Sequence, residues 1–237
     1  KKDTFLKGAF ILTVAGLVVK ILGAVYRIPL ARMIEDEGMG LYQMAYPIYL
    51  ILLSISTAGL PTAISKMVSE DVALGRFKNA YRIFIVSMAV LAGVGICLTI
   101  VLAFGAEWLA VEVYKNPKAF YPIISIAPAI FFVSIMSCFR GFFQGLQDMT
   151  PSAISQIVEQ IGRVVAVFIL ADLLLPYGVE YAAAGAAFGP VVGAVVGLIV
   201  LVMVYYNRKR SLIKKVHLDE GGNLESFAHI INRLFWF

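Results

Sequence analysis

The chain has 237 residues, of which 60% are hydrophobic and 15% charged, and it carries a net charge of +5. Its mean hydropathy is +0.86; soluble domains hold about 45–50% apolar and about 25% charged residues, so a soluble globular domain is excluded. The basic balance does not point to nucleic acid, because the Lys and Arg residues gather at the ends of apolar runs, where membrane topology places them.

Six apolar runs follow one another, at residues 8–31, 38–65, 83–106, 119–139, 149–171 and 181–207. Each is longer than the roughly 18–20 residues that carry a helix across about 30 Å of hydrocarbon. The first follows Lys1, Lys2 and Lys7, as in a signal peptide. Its apolar part is too long for one, however, and no small-residue cleavage site precedes the Glu35-Asp36-Glu37 turn, so it reads as a retained helix. Thr13, Gly16, Lys20, Gly23 and Arg27 recur at three- and four-residue steps and predict one small-and-basic face. The second run shows Ser54, Thr57, Pro61 and Ser65 in the same spacing. The third is nearly all apolar and is expected to face lipid. The fourth has Ser134, Ser137, Gly141 and Gln144, with Arg140 beside them. In the fifth, Ser152, Gln156, Glu159 and Arg163 form a polar stripe. The sixth has Gly185, Gly189, Gly193 and Gly197, a spacing that lets another helix backbone approach closely. Pro47, Pro61, Pro128 and Pro190 are expected to bend their helices.

The fold class is therefore an all-α membrane protein of six transmembrane helices. Lys and Arg are concentrated in the N-terminus, in 66–82 and in 208–215, whereas Glu35, Asp36, Glu37, Glu107, Glu112 and Glu180 mark the opposite loops. This bias predicts a cytoplasmic N-terminus in the cell membrane. Residues 1–207 form the membrane unit. Residues 208–226, containing Asp219-Glu220-Gly221-Gly222, read as a cytoplasmic linker. The apolar segment 227–237 is either an interfacial helix or the start of a seventh span. The latter reading makes the chain the N-terminal lobe of a longer transporter, with a C-terminal lobe of the same protein as its missing partner.

Charges inside a bilayer usually face a protein interior or a water-filled cavity. Lys20 and Arg27, Glu159 and Arg163, and Arg140 are the candidates for such a cavity, with Gln144 and Gln156 on the same stripes. The competing readings are snorkelling for Lys20 and Arg140, and a neutralising i,i+4 pair for Glu159 and Arg163. A net basic cavity suits an anionic ligand such as a phosphate or diphosphate headgroup. Cys97 and Cys138 lie in apolar runs and read as inert thiols. No nucleotide-binding loop, metal-ligand spacing or nucleophile–base set is present, so no catalytic residue, metal or cofactor is assigned, and transport is favoured over an enzyme.

Several motifs sharpen this reading. Thr4-Phe5-Leu6-Lys7-Gly8, Lys20-Ile21-Leu22-Gly23 and Tyr26-Arg27-Ile28-Pro29 resemble the Gram-positive members of the polysaccharide-transporter family. So do Glu37-Gly38-Met39-Gly40-Leu41-Tyr42, Gly59-Leu60-Pro61-Thr62-Ala63-Ile64-Ser65-Lys66 and Arg140-Gly141-Phe142-Phe143-Gln144-Gly145. The run from Leu175-Pro176-Tyr177 to Ala184-Gly185 resembles its sporulation branch. This family belongs to the multidrug/oligosaccharidyl-lipid/polysaccharide (MOP) flippase superfamily. The resemblance implies a MOP/MATE-like fold of two six-helix lobes around a central cavity. It also implies movement of lipid-linked saccharides by alternating access, with that lipid and membrane lipid as partners. In the related lipid II flippases, basic residues of the first helix line the cavity; Lys20 matches one such position, and Tyr26 holds the second, with Arg27 one step on. Cation-coupled multidrug efflux on the same fold and a non-transporting scaffold for cell-wall enzymes are the alternatives.

Overall fold

The computed structural model describes the backbone of residues 2–57, 59–217 and 225–236, and side chains within 8–57, 59–209 and 225–234. The Asp219-Glu220-Gly221-Gly222 stretch and the side chains of Lys1, Lys2, Lys7, Arg210, Lys214 and Lys215 lie outside the described residues. The α-helices are α1 (Lys2–Val25), α2 (Arg27–Thr57), α3 (Leu60–Ala73), α4 (Phe77–Trp108), α5 (Phe120–Ile126), α6 (Pro128–Gly145), α7 (Thr150–Leu174), α8 (Val179–His217) and α9 (Phe227–Trp236). Among the described residues there is no strand.

Four helical runs among the described residues are long and apolar enough to cross a bilayer: Gly8–Ala73, Phe77–Val113, Pro117–Gly145 and Val179–Lys209. The first, at 66 residues, would be roughly 100 Å long if straight, about three bilayer cores. It is broken instead. Glu35 adopts φ 56 and ψ −175 inside α2, which reverses the chain at the acidic turn. Gly59, at φ 70, separates α2 from α3. Near Tyr26 the helix only bends, because Pro29 has no N–H to give to the carbonyl of Val25. Of the six expected spans, the fifth corresponds to α7, which carries Glu159, Arg163 and Asp172.

Large apolar side chains stay exposed on the outside of the bundle: Leu17, Ile21 and Ile28; Ile51 and Ile55; Val101 and Phe104; Ile161, Val165 and Ile169; Met203. Such a surface is stable only when lipid replaces water around it, so the molecule is a membrane protein. The expectation for the third run accounts for half of what α4 does. Ile96, Ile100, Val101 and Phe104 point outward, while Phe84, Leu91 and Leu102 are buried.

Two apolar clusters lie at opposite ends of the bundle. One gathers Leu30, Ile34, Tyr42, Tyr49, Ala106, Ile123, Ile130, Val167 and Ala183. The other gathers Ile64, Met67, Phe84, Phe142, Phe143 and Tyr205, and reaches Ile230 and Leu234 of α9. Helix α8 runs through both, and its glycines set how closely α7 approaches. A Cβ at Gly185 would stand 2.6 Å from the carbonyl oxygen of Leu170, and one at Gly193 would stand 2.6 Å from that of Glu159. Gly189 and Gly197 face α7 in the same way, at Val167 and Arg163 and at Glu159 and Ser155. A second close approach was not legible beforehand: Gly141 and Gly145 of α6 press on Pro61, Ile64, Ser65 and Val68 of α3.

Helix α8 continues ten residues past the apolar run ending at Asn207, so the first part of the segment read as a linker is helical. Beyond it, α9 is tied to the α3–α4 end: Arg233 donates to Glu70 at 2.7 Å and to Glu225 at 2.6 Å, and the backbone N–H of Glu225 donates to Asn79. At the opposite end Lys118 pairs with Glu37 at 2.8 Å and Glu180 at 3.6 Å.

Candidate functional site

Helices α6 and α7 are joined by charge. Arg140 Nη2 donates to Glu159 Oε2 at 2.8 Å, and Arg163 Nη2 donates to Glu159 Oε1 at 2.8 Å. Arg140 Nε also donates to Ser155 Oγ at 3.1 Å. The three side chains are only 12–16% exposed. One carboxylate thus bridges two guanidiniums, one from its own helix and one from its neighbour, leaving a net charge of +1. The i,i+4 pair was legible in the sequence; the contribution of Arg140 was not, because it spans 19 positions. Arg163 Nε has no hydrogen-bond partner and is buried.

A tyrosine cluster lies next to this trio. Tyr42, Tyr46 and Tyr49 line one face of α2, with ring centroids 5.8 Å and 6.0 Å apart in succession. The Tyr26 and Tyr42 hydroxyls share a hydrogen bond at 3.0 Å, which ties the α1–α2 bend to the second half of α2. The phenols of Tyr49, Tyr46 and Tyr26 are within electrostatic reach of Arg163. On the other side, the guanidinium of Arg27 stands 5.2 Å from the centroid of the Tyr46 ring, within cation–π distance. Tyr46 thus has the Arg27 guanidinium over its ring and Arg163 within electrostatic reach.

Beside Arg27 is a cavity of about 210 Å³, lined by Arg27, Met39, Tyr42, Gln43, Tyr46 and Pro47. Of the candidates read from sequence, Arg27 alone lines it. Lys20 is exposed on α1 and does not line the cavity; three residues on, Gly23 abuts Gln160 of α7. Arg140, Glu159 and Arg163 come together with one another and do not line the cavity. Gln144 and Gln156 are half-buried and take no part in the trio. The tyrosines were missed as site residues, although positions 42, 46 and 49 repeat at four and three residues, the signature of one helix face. The hydroxyl stripe of the second run has a local purpose: Ser54 and Thr57 donate to the carbonyls of Leu50 and Leu53 in their own helix. Ser134 instead meets Ser56 across α2 and α6, at 2.5 Å. Cys138 is buried against the carbonyl of Phe84 and Cys97 is a free thiol. Among the described residues no three His, Cys, Asp or Glu side chains are grouped to hold a metal.

The family model described as polysaccharide biosynthesis protein matches residues 5–236. Stage V sporulation protein B of Bacillus subtilis (strain 168) is 38% identical over 179 residues, 76% of this chain and 35% of that relative. Lipid II flippase MurJ of the same organism is 35% identical over 179 residues, 72% of this chain and 33% of the relative. The chain thus spans about a third of the length of these curated relatives. Among solved structures, a MOP superfamily transporter from Pyrococcus furiosus Vc1 superposes with a TM-score of 0.70 at 14% identity, covering 97% of this chain and 50% of that one. Lipid II flippase MurJ in an inward closed conformation gives 0.57 at 12% identity, covering 92% and 50%. These structural likenesses speak for the fold. Helix order, exposed apolar surface and the match across nearly the whole sequence agree: the chain belongs to the polysaccharide biosynthesis protein family and has the helical fold of the MOP transporter superfamily.

Proposed function

We propose that the chain forms the N-terminal lobe of a flippase that moves undecaprenyl-diphosphate-linked saccharides across the cell membrane by alternating access. The observation that carries this reading is the 35–38% identity to two curated relatives, one of which is named a lipid II flippase. In this reading the lobe crosses the bilayer six times: α1 with the start of α2, the rest of α2 with α3, then α4, α5 with α6, α7, and α8. The N-terminus is cytoplasmic, as the charge bias of the loops predicts. A second lobe of the same protein completes the central cavity.

Lys20 and Arg27 are the residues that hold the diphosphate. They lie seven residues apart, about 10.5 Å along the helix at roughly 1.5 Å per residue, and both are exposed at the surface of the lobe. An ammonium or guanidinium facing the bilayer interior needs water or an anion, and a diphosphate supplies charge-assisted hydrogen bonds to both. Arg140, Glu159 and Arg163 support this face from behind. Efflux of organic cations is the weaker reading. It calls for an unpaired cavity carboxylate, and both oxygens of Glu159 are occupied by guanidiniums.

Lys20→Ala and Arg27→Ala in the full-length protein should each weaken binding of undecaprenyl-diphosphate-linked saccharide, with folding and membrane insertion retained. A loss of about tenfold per charge corresponds to roughly 1.4 kcal/mol, close to the lower end of what a charge-assisted hydrogen bond contributes. Arg27→Lys should lose less than Arg27→Ala, because the charge stays while the planar fork is lost. Unchanged binding in both alanine variants would make the basic face structural.

A further inference from the structure

The cavity beside Arg27 is a poor diphosphate site by itself. Arg27 is its one cationic lining residue, and that guanidinium is already placed over the Tyr46 ring. No second Lys or Arg lines it to balance a multiply charged anion. Its other walls are of a different chemistry. Met39, Pro47 and the half-buried Tyr46 offer apolar and aromatic surface over the buried Tyr42, and the exposed Gln43 side chain offers one acceptor and two donors. Flat apolar walls with a few fixed polar groups suit a neutral ring carrying hydroxyl or amide groups, whose C–H face lies on the aromatic wall while its edge takes hydrogen bonds. The volume of about 210 Å³ is below the roughly 300–1,000 Å³ of pockets for drug-sized ligands, so it accommodates a single small ring.

The walls are also held in place before any ligand arrives. Tyr42 is 1% exposed and its hydroxyl is fixed by Tyr26. Pro47 limits the backbone on the far side, within α2. The cavity is lined by Arg27 and not by Lys20, so a group bound there adjoins whatever Arg27 holds.

We propose that the cavity bounded by Arg27, Met39, Tyr42, Gln43, Tyr46 and Pro47 is a subsite for one saccharide ring of the lipid-linked substrate, with Gln43 and Tyr46 as its specificity-determining residues. This rests on the flippase reading above and extends it. Arg27 then stands at the junction, reaching the diphosphate on one side and the first sugar on the other, while Lys20 meets only the diphosphate.

The test compares two ligands on the full-length protein in detergent: undecaprenyl diphosphate bearing a disaccharide, and bare undecaprenyl diphosphate. Gln43→Ala and Tyr46→Leu should each weaken binding of the glycosylated lipid by about three- to tenfold, the effect of one or two lost hydrogen bonds or ring contacts. Gln43→Ala should leave binding of the bare lipid unchanged, whereas Tyr46→Leu, which also frees Arg27, should cost the glycosylated lipid more than the bare one. Tyr46→Phe, which keeps the ring and its contact with Arg27, should retain most of the glycosylated affinity. Equal losses for both lipids would assign the cavity to the diphosphate and overturn the saccharide subsite while leaving the flippase reading intact. No loss for either lipid in Gln43→Ala and Tyr46→Leu would overturn it too. Failure of the unmodified protein to bind either lipid would refute the flippase reading, and the subsite with it.

Discussion

Replacing Glu159 by glutamine should lower the stability of the folded protein by about 3–5 kcal/mol, the cost of leaving a buried charge without its partner. The reason is geometric. Glu159 accepts from Arg140 and Arg163 at 2.8 Å each, in a trio that is 12–16% exposed. Glutamine keeps the shape and removes the charge, so two guanidiniums then repel one another where little solvent screens them. Arg140→Met should cost less, because Glu159 keeps Arg163 and the trio becomes a neutral pair. Adding Arg140→Met to Glu159→Gln should recover part of the loss, and a coupling of about 0.5–3 kcal/mol is the range for residues in direct contact. Thermal unfolding in detergent measures all three. If Glu159→Gln unfolds with the unmodified protein, the trio does not hold α6 to α7.

The second large effect is expected at Gly193. An alanine there would put Cβ 2.6 Å from the carbonyl oxygen of Glu159 and 2.9 Å from Cβ of Arg163. Backbone stands in the way, so α7 and α8 must separate, at about 1–3 kcal/mol or more for an overpacked core. The strain would fall on the turn of α7 that carries Glu159 and Arg163. Gly162→Ala, on the facing side of α7, is the matched control, since its Cβ would meet Val196 at an ordinary 3.5 Å. Gly162→Ala should therefore unfold close to the unmodified protein, and Gly193→Ala well below it. Equal melting of the two variants would show that the α7–α8 interface yields without cost.

Much of this architecture was legible because lipid imposes long apolar runs and puts charge at their ends. The acidic Glu35-Asp36-Glu37 turn marks where α2 reverses, and Glu35 is the residue with φ 56. The glycines at every fourth position of α8 read as a contact stripe and lie against α7. Local spacing also revealed the Glu159–Arg163 pair. What stayed hidden depends on tertiary placement. Nothing near Arg140 in the chain points to a residue 19 positions later, and Gly141 sits in what looked like a polar stripe although it faces α3. The tyrosines were passed over for a different reason. In an apolar run a phenol counts as hydrophobic, so Tyr42, Tyr46 and Tyr49 passed as part of the run, and only the fold brings Arg27 over the Tyr46 ring. The helical continuation of α8 to His217 was obscured by its charge, which an apolar-run criterion treats as the end of the helix.

The most direct test of the flippase reading is transbilayer movement itself. The full-length protein is reconstituted in liposomes with undecaprenyl-diphosphate-linked disaccharide present first in one leaflet, and the sugar reaching the other leaflet is read with a membrane-impermeant labelling enzyme. Transfer by the unmodified protein, with a clear loss in the Lys20→Ala, Arg27→Ala double variant at equal reconstitution, is the predicted result. Binding of the lipid without any transfer would contradict it and favour a protein that holds lipid-linked saccharide in place for cell-wall enzymes.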